Sequence, residues 1–423
     1  MSPRSYDALI VGAGPAGCTA AIRLAQAGWS VALIERQPFP RRKVCGECIA
    51  ASNLPLLAAL GVGAAFEALA GPPLRRVGLL VERARIWAAL PAARHALQPW
   101  GRALSREQLD SLLLERARAL GVSVWQPYVA QALDGEPGAY RCALRAAGRR
   151  AVPAGTGPLL CAPVAIEARG WHAPAGGPGH CSAAARGREL LAFKANFSGA
   201  RLPPGVLPVL AFPGGYGGMV LTGAAELTLA CCIQRAALQR ARRAAPERAA
   251  GDAVQAYLQR HCAGVAEALS AAERRGPWLS AGPIRPGQRL ASRTARARAP
   301  LAPFRIGNAA GEAHPLIGEG ISMALQSAWL LTELLCACPQ ARAHGPAAAR
   351  AQRLLHARYA ARWRRQFLGR LRVAGCFARL AMRPRLARAL LPLLRAAPGL
   401  LTHGARWSGK IRALRTPRQE IAS

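Results

Sequence analysis

One short stretch near the N-terminus narrows the fold more than any other feature. The continuous apolar run Ala8–Val11 leads directly into Gly12-Ala13-Gly14-Pro15-Ala16-Gly17, a G-x-G-x-x-G spacing. An apolar run of this length bounded by glycine reads as a parallel strand buried on both faces. Residues 16–27 are rich in Ala and Leu and stop before Gly28, which predicts a helix. Residues 30–35 read as the next strand, and its last residue, Glu35, lies 18 positions beyond Gly17. Strand, glycine turn, helix and acid-terminated strand together form the unit that binds a dinucleotide. In such a unit Gly12 permits the tight turn, Gly14 lets backbone approach a pyrophosphate, and Gly17 lets helix and strand pack closely. Pro15 and Ala16 open the helix, whose free N–H groups and dipole favour an anion. Glu35 is placed to accept from ribose hydroxyls and to repel a 2′-phosphate.

A chain of 423 residues with 52% hydrophobic content can bury a large core and holds two or three domains, or one large domain with an insertion. The net charge of +36 comes almost wholly from arginine, since Lys43, Lys194 and Lys410 are the only lysines among 57 basic residues. So lopsided a ratio, with abundant Ala, partly reflects coding composition, yet it still predicts attraction to anionic surfaces. The cysteines form no disulfide-like framework, and the glycine-broken N-terminus does not suit a secretory signal. Reduced thiols and a cytoplasmic location are expected. No apolar run is long enough to predict a spanning helix. Further helices are predicted at residues 106–120, capped by Ser105, and from Gly320 to about Cys336. Residues 134–187 give a weak signal. Residues 189–235 read as strands, with 213–218 as an interruption. Residues 340–423 carry 19 basic residues against one acid, Glu420, and Trp363, Phe367, Leu371 and Ala374 recur at helical spacing.

Several separated motifs resemble one family. The fingerprint through Glu35, Gly307-Asn308-Ala309-Ala310-Gly311 and Pro315-x-x-Gly318-x-Gly320 are similar to the FAD-dependent oxidoreductases of the geranylgeranyl reductase and flavin hydroxylase–halogenase superfamily. Phe39-Pro40-Arg41-Arg42-Lys43-Val44-Cys45-Gly46-Glu47 and Phe212-Pro213-Gly214-Gly215-Tyr216-Gly217 resemble its reductase-like and halogenase-like branch. The resemblance implies an α/β fold: a Rossmann-like FAD-binding domain of glutathione-reductase type, an inserted β-rich substrate domain and a helical C-terminal region. It divides the chain into FAD-binding segments at 1–55, 100–174 and 285–339, substrate-domain segments at 56–99 and 175–284, and a basic helical region at 340–423. FAD is the implied cofactor. Gly12, Gly14, Pro15, Ala16, Gly17, Glu35 and Arg36 would hold its ADP half, and Arg106 would contact phosphate or ribityl. Asn308 would meet the ribityl chain, while Gly318, Gly320 and Ile321 would present a helix N-terminus to the flavin. Two departures stand out. Asn308 replaces the family's usual Asp, and Asn308→Asp is expected to retain or tighten FAD. Glu167-Ala168-Arg169-Gly170 stands where many hydroxylases have an Asp-Gly pair.

Cys45-Gly46-Glu47-Cys48 is a C-x-x-C without a second cysteine pair or spaced histidines, so no metal is expected. In the resemblance this segment passes near the flavin, and Cys45 becomes the candidate catalytic residue, as proton donor or pocket lining. His314 precedes Pro315 and can hydrogen-bond flavin or carry a proton. No second strand-anchored G-x-G-x-x-G exists, so NAD(P)H or another reductant is a transient visitor. Tyr216 and Phe212 are the candidate substrate residues, and the aliphatic character of 190–235 suggests an apolar substrate of lipid, isoprenoid or polyketide type. The expected function is oxygenation by a monooxygenase, with alkene reduction as the alternative. A basic nucleic-acid-binding protein is the distant third reading, and no nucleic-acid motif supports it. The oligomeric state stays open. The basic tail predicts reversible peripheral contact with an anionic membrane at its inner face.

Overall fold

The structure is a computed structural model that describes residues 3–93, 98–148, 157–170, 187–288, 290, 302–409 and 414. Its centre is a parallel five-stranded sheet in the order Phe304–Arg305, Val164–Glu167, Ala8–Val11, Val31–Ile34, Ser123–Trp125. Ala8–Val11 is buried along its whole length, as a parallel strand covered on both faces must be. Helix α1 (Pro15–Gln26) follows, with Pro15 in its first turn, where the missing N–H costs nothing. Gly28, at φ +75°, turns the chain out of it. Helix α2 (Arg106–Ala119) is capped by Ser105, whose hydroxyl accepts from the Gln108 N–H at 3.2 Å. Helix α3 (Gly320–Cys336) is buried nearly all round. All three share the largest core cluster.

The weakly patterned region holds the strands Tyr128–Asp134, Tyr140–Ala146 and Leu159–Ala162, which pair in a second sheet with Arg4–Ser5. Gly135 and Gly138, both at positive φ, turn the chain between the first two, and pairing across the sheet, not strand propensity, holds the strands. Residues 149–156 and 171–174 of the 100–174 FAD-binding segment, and residues 175–186 of the 175–284 substrate-domain segment, lie outside the described residues.

A third, larger sheet is built from two visits of the chain. Arg76–Val81 and Ala84–Ala89 come from the first visit; Leu190–Ser198, Val206–Phe212, Gly215–Leu221, Leu227–Gln234 and Leu279–Ile284 come from the second. Arg76–Val81 joins parallel to Val206–Phe212 and closes the two together. The expected interruption at 213–218 is only a two-residue turn. Phe212 already pairs with Gly215, and Gly214 takes φ +74°. One face of this sheet is covered by helices Arg235–Arg243 and Ala250–His261. The other faces the cofactor-binding part and the C-terminal helices.

Those helices are α4 (Pro346–Ala381), α5 (Pro384–Ala396) and α6 (Gly399–Trp407). The stripe of Trp363, Phe367, Leu371 and Ala374 belongs to α4; Trp363, Phe367 and Ala374 are buried and Leu371 is partly buried against the same core, so it is a packing face and not a membrane face. Trp363 and Phe367 sit in the same cluster as α1 and α3, while Ala378 and Ala381 at the other end pack with the large sheet. Among the described residues no helix is long and apolar enough to cross a membrane.

Removing a buried indole leaves a cavity as well as lost burial, so Trp363→Ala should cost about 3–5 kcal/mol in urea unfolding. Leu354→Ala on the same helix, at a side chain that is 60% exposed, should stay within about 0.5 kcal/mol.

Candidate functional site

A cavity of about 630 Å³ opens between the five-stranded sheet and the large sheet, within the usual range for a small-molecule site. Its phosphate end is shaped by three glycines. Gly12 stands at φ +108°, and a Cβ there would strike the Ala168 carbonyl. A Cβ on Gly17 would overlap the Gly12 carbonyl oxygen, so α1 approaches its own turn as closely as backbone permits. Gly17 therefore acts through packing and does not line the cavity. Gly14 differs: beside its Cβ position the nearest atoms are two guanidinium nitrogens, of Arg106 at 3.8 Å and Arg41 at 4.0 Å. Open backbone at a helix N-terminus, flanked by two cations, is a cradle for a diphosphate. Gly12, Pro15 and Ala16 line the same end.

Buried carboxylates hold those cations. Arg106 makes a bidentate pair with Asp110, both contacts at 2.8 Å, and Arg41 lies 3.6 Å from the same carboxylate. Burial works against the Arg106 charge, but Asp110 more than offsets it and holds the guanidinium above its ordinary range. Arg41 donates to Glu35 at 2.8 Å, and its buried Nε has no hydrogen-bond partner among the described residues, as a site awaiting an acceptor would show. Glu35 also accepts from the N–H groups of Ala13 and Gln37, each at 2.9 Å. A carboxylate offers about four acceptor positions, so one remains for a ribose hydroxyl. Arg36 lines the cavity beside it. Lys43, named in the sequence only as part of the Phe39–Glu47 motif, stands on the same wall. Burial and then the charge of Arg41 push its ammonium down to about 8.

At the other end Asn308, Gly318, Gly320 and Ile321 line the cavity, with Gly318 in the left-handed conformation at φ +63° just before α3 begins. The N-terminus of α3 thus opens on the site, where it favours negative charge. Its position is fixed from behind. Asn53 donates to Ser322 at 2.8 Å and accepts from Gln326 at 3.0 Å, and Arg370 of α4 pairs with the buried Glu319 at 3.2 Å. Asn308 donates to Glu312 at 3.4 Å. That contact argues for the opposite outcome from the one expected of Asn308→Asp, because the new carboxylate would face one that is already buried.

Cys45 is half-buried in the cavity wall, and its sulfur accepts from the Glu47 N–H at 3.3 Å. No group of side chains suited to a metal occurs among the described residues. Tyr216 lines the cavity and meets Nδ1 of His314 through its hydroxyl at 3.0 Å. Burial, then neighbouring Cys232, push the Tyr216 phenol well above its ordinary range. Burial, then Arg379, push His314 down to about 4. The pair is therefore neutral at pH 7. Phe212 does not belong to the site. The pleat turns it with Leu210 to the opposite face of the sheet, where its ring meets Tyr257 edge-on at 6.2 Å.

The residue that sequence reasoning missed is Glu47. It is 1% exposed and stands at φ +55°. Its carboxylate accepts from Lys194 Nζ, from Thr228 Oγ1 at 2.6 Å and from the Arg106 N–H at 2.8 Å. One side chain therefore ties the cavity loop, the start of α2 and the large sheet together. An acid next to the C-x-x-C was visible, but its lysine is 147 positions away.

The family model described as FAD binding domain matches residues 5–142. A tryptophan 2-halogenase of Chondromyces crocatus is 35% identical over 131 residues, 29% of this chain and 23% of the halogenase. A 1H-pyrrole-2-carbonyl-(peptidyl-carrier protein) chlorinase of Pseudomonas fluorescens is 31% identical over 152 residues, 30% of this chain and 32% of the chlorinase. The matches thus span about a quarter to a third of these relatives' own length. Among solved structures, a myxobacterial chondrochloren halogenase superposes with a TM-score of 0.70 at 18% identity, covering 99% of both chains. A protein described as a probable FAD-dependent monooxygenase from Pseudomonas aeruginosa gives 0.66 at 16% identity, covering 92% of this chain and 100% of that one. At such identities the likeness is one of fold. The chain carries an FAD-binding domain, and the cradle, the ribose acceptor and the flavin-facing helix end suit FAD.

Gly14→Val fills the cradle, so the variant should purify folded yet with at least tenfold less flavin per protein by absorbance, a penalty of about 1.4 kcal/mol or more. Full flavin content would show that the diphosphate lies elsewhere. Asn308→Asp should lose FAD by roughly tenfold at pH 8 and recover as the pH falls, because a proton on either carboxyl removes the repulsion. Undiminished retention at pH 8 would show that Glu312 does not oppose a charge there.

Proposed function

We propose that this chain, an FAD-dependent enzyme with the halogenase–monooxygenase fold, is a monooxygenase acting on a small, uncharged, apolar substrate. The observation that carries the reading is the continuity of one cavity from the Gly14 cradle to the inner face of the large sheet. Ala192, Leu207, Val209 and Ile284 wall its sheet end. Tyr216, the polar ring there, is neutral at pH 7, and burial pushes the Cys232 thiol up to about 12. An ionised substrate would find no counter-charge among these groups, whereas an apolar one is desolvated without penalty.

FAD, when bound, supplies the redox chemistry, taking electrons from a nicotinamide or other transient donor. The chain's own residues do the rest. Arg106, Arg41 and the α1 N-terminus fix the diphosphate, and the α3 N-terminus supports negative charge at the flavin end. Tyr216 presents a hydrogen-bonding hydroxyl to the substrate, and the neutral His314 ring, 3.0 Å from that hydroxyl, holds it in place. Cys45 lines the wall between the two ends.

Halogenation is the second reading, favoured by the names of the two relatives, each of which matches about 30% of this chain. Alkene reduction stays a further alternative. The test supplies reduced enzyme with isotopically labelled dioxygen, halide and a panel of apolar phenols, isoprenoids and polyketide-like aromatics. Monooxygenation predicts label in the product with or without halide. Halide-dependent product with halogen and no label would replace it with halogenation, and substrate reduction without oxygen would replace it with the reductase reading.

A further inference from the structure

We propose that α5 and α6 form a docking face for an anionic lipid bilayer. Six large hydrophobic side chains are exposed among the described residues, and four of them lie here: Leu386 at 41%, Leu393 at 53%, Leu400 at 45% and Trp407 at 67%. They recur every seven positions, two on each helix. Ala389 and Ala396 are exposed as well and share the Leu386–Leu393 face of α5 at helical spacing. That face is apolar, outward and continuous over three turns.

The helices do not hang loose. The reverse side of α5 buries Ala387 and Leu391 against the large sheet. Arg388 pairs with Glu82 at 3.1 Å, and Thr402 of α6 donates to the Ala89 carbonyl at 2.7 Å. A seated pair of helices with apolar side chains pointing away from its own core is an interfacial arrangement.

Charge selects the occupant. Residues 383–409 contain five arginines and no acid, and Arg383, Arg385, Arg395 and Arg406 are exposed. A second copy of the chain would bring the same cations against these, and like charges oppose such a contact. A nucleic acid would satisfy the arginines but offers its phosphates, not an apolar bed, to four large hydrophobic groups. An anionic bilayer supplies both partners: acidic headgroups for the arginines and an interfacial region that accepts leucine and tryptophan.

The position gives this face a use. The cluster that buries Ala387 and Leu391 also contains Ala192, Tyr216 and Leu316, all of which line the cavity. Docking therefore sets the sheet end of the cavity beneath the bilayer surface, near an apolar substrate dissolved in it. That last step rests on the proposed function; the docking does not.

Full-length protein with its flavin would be sedimented with vesicles of phosphatidylcholine plus phosphatidylglycerol, and with phosphatidylcholine alone, at low and high salt. Binding is expected to the anionic vesicles only and to weaken with salt. The double variant Leu393→Gln, Trp407→Ser should bind about tenfold more weakly, as should Arg383→Gln, Arg385→Gln, Arg395→Gln, while Leu354→Gln should bind like the parent. Flavin content and light scattering on every variant report folding and oligomeric state. Absence of binding at low salt, or undiminished binding by both multiple variants, overturns the proposal. A parent dimer that the double variant converts to monomer assigns the face to a second copy instead. Because no outcome depends on turnover, loss of the oxygenation reading would leave the result standing.

Discussion

The cofactor end of this molecule rests on a steric constraint. Helix α1 lies so close to the turn that precedes it that position 17 has no room for a β-carbon, because the Gly12 carbonyl occupies that space. The close approach brings the helix N-terminus to the end of the central strand, and the neighbouring charges are arranged around that point. Arg41 and Arg106 converge beside Gly14 as like charges, and each is balanced by a buried carboxylate, Glu35 or Asp110. Breaking such a pair from one side leaves an uncompensated charge, which typically costs about 3–5 kcal/mol. The same logic governs the far end, where Arg370 answers Glu319 at the head of α3.

What could be read from the sequence was local. The strand-turn-helix unit, the Ser105 cap and the start of α3 at Gly320 each depend on residues within a turn or two of one another. What could not be read was set across the fold. Phe212 and Tyr216 lie four positions apart around a hairpin, and only the pairing register shows that they face opposite sides. The apolar stripe through Trp363 is a true helix face, but periodicity does not say whether a domain or a membrane covers it. Asn308 looked like a simple loss of charge until Glu312 was seen beside it. Charges interact through space, and that distance is absent from a linear text.

Glu47 shows how such long-range contacts organise the site. Its three acceptor contacts come from the large sheet and from the first residue of α2, so the cavity loop is held between that sheet and the helix. Thr228 is itself held by Asn196 at 2.9 Å. A buried ion pair adds little net stability compared with an apolar pair of the same shape, but it tolerates only one arrangement of its partners. Here that arrangement keeps Cys45 and Lys43 on the cavity wall.

Helix α4 has a mechanical consequence. Its 36 residues make a rod about 54 Å long. Leu355, Tyr359, Trp363 and Phe367 seat one half in the nucleotide-side core, and Ala378 and Ala381 seat the other on the large sheet. A rod anchored at both ends is a splint. Clamshell opening about the strands that join the two sheets would have to bend α4 or pull a buried tryptophan from its socket. Hinged domain closure is thereby suppressed, and traffic through the cavity falls to rotamer changes and local loop movement at its rim.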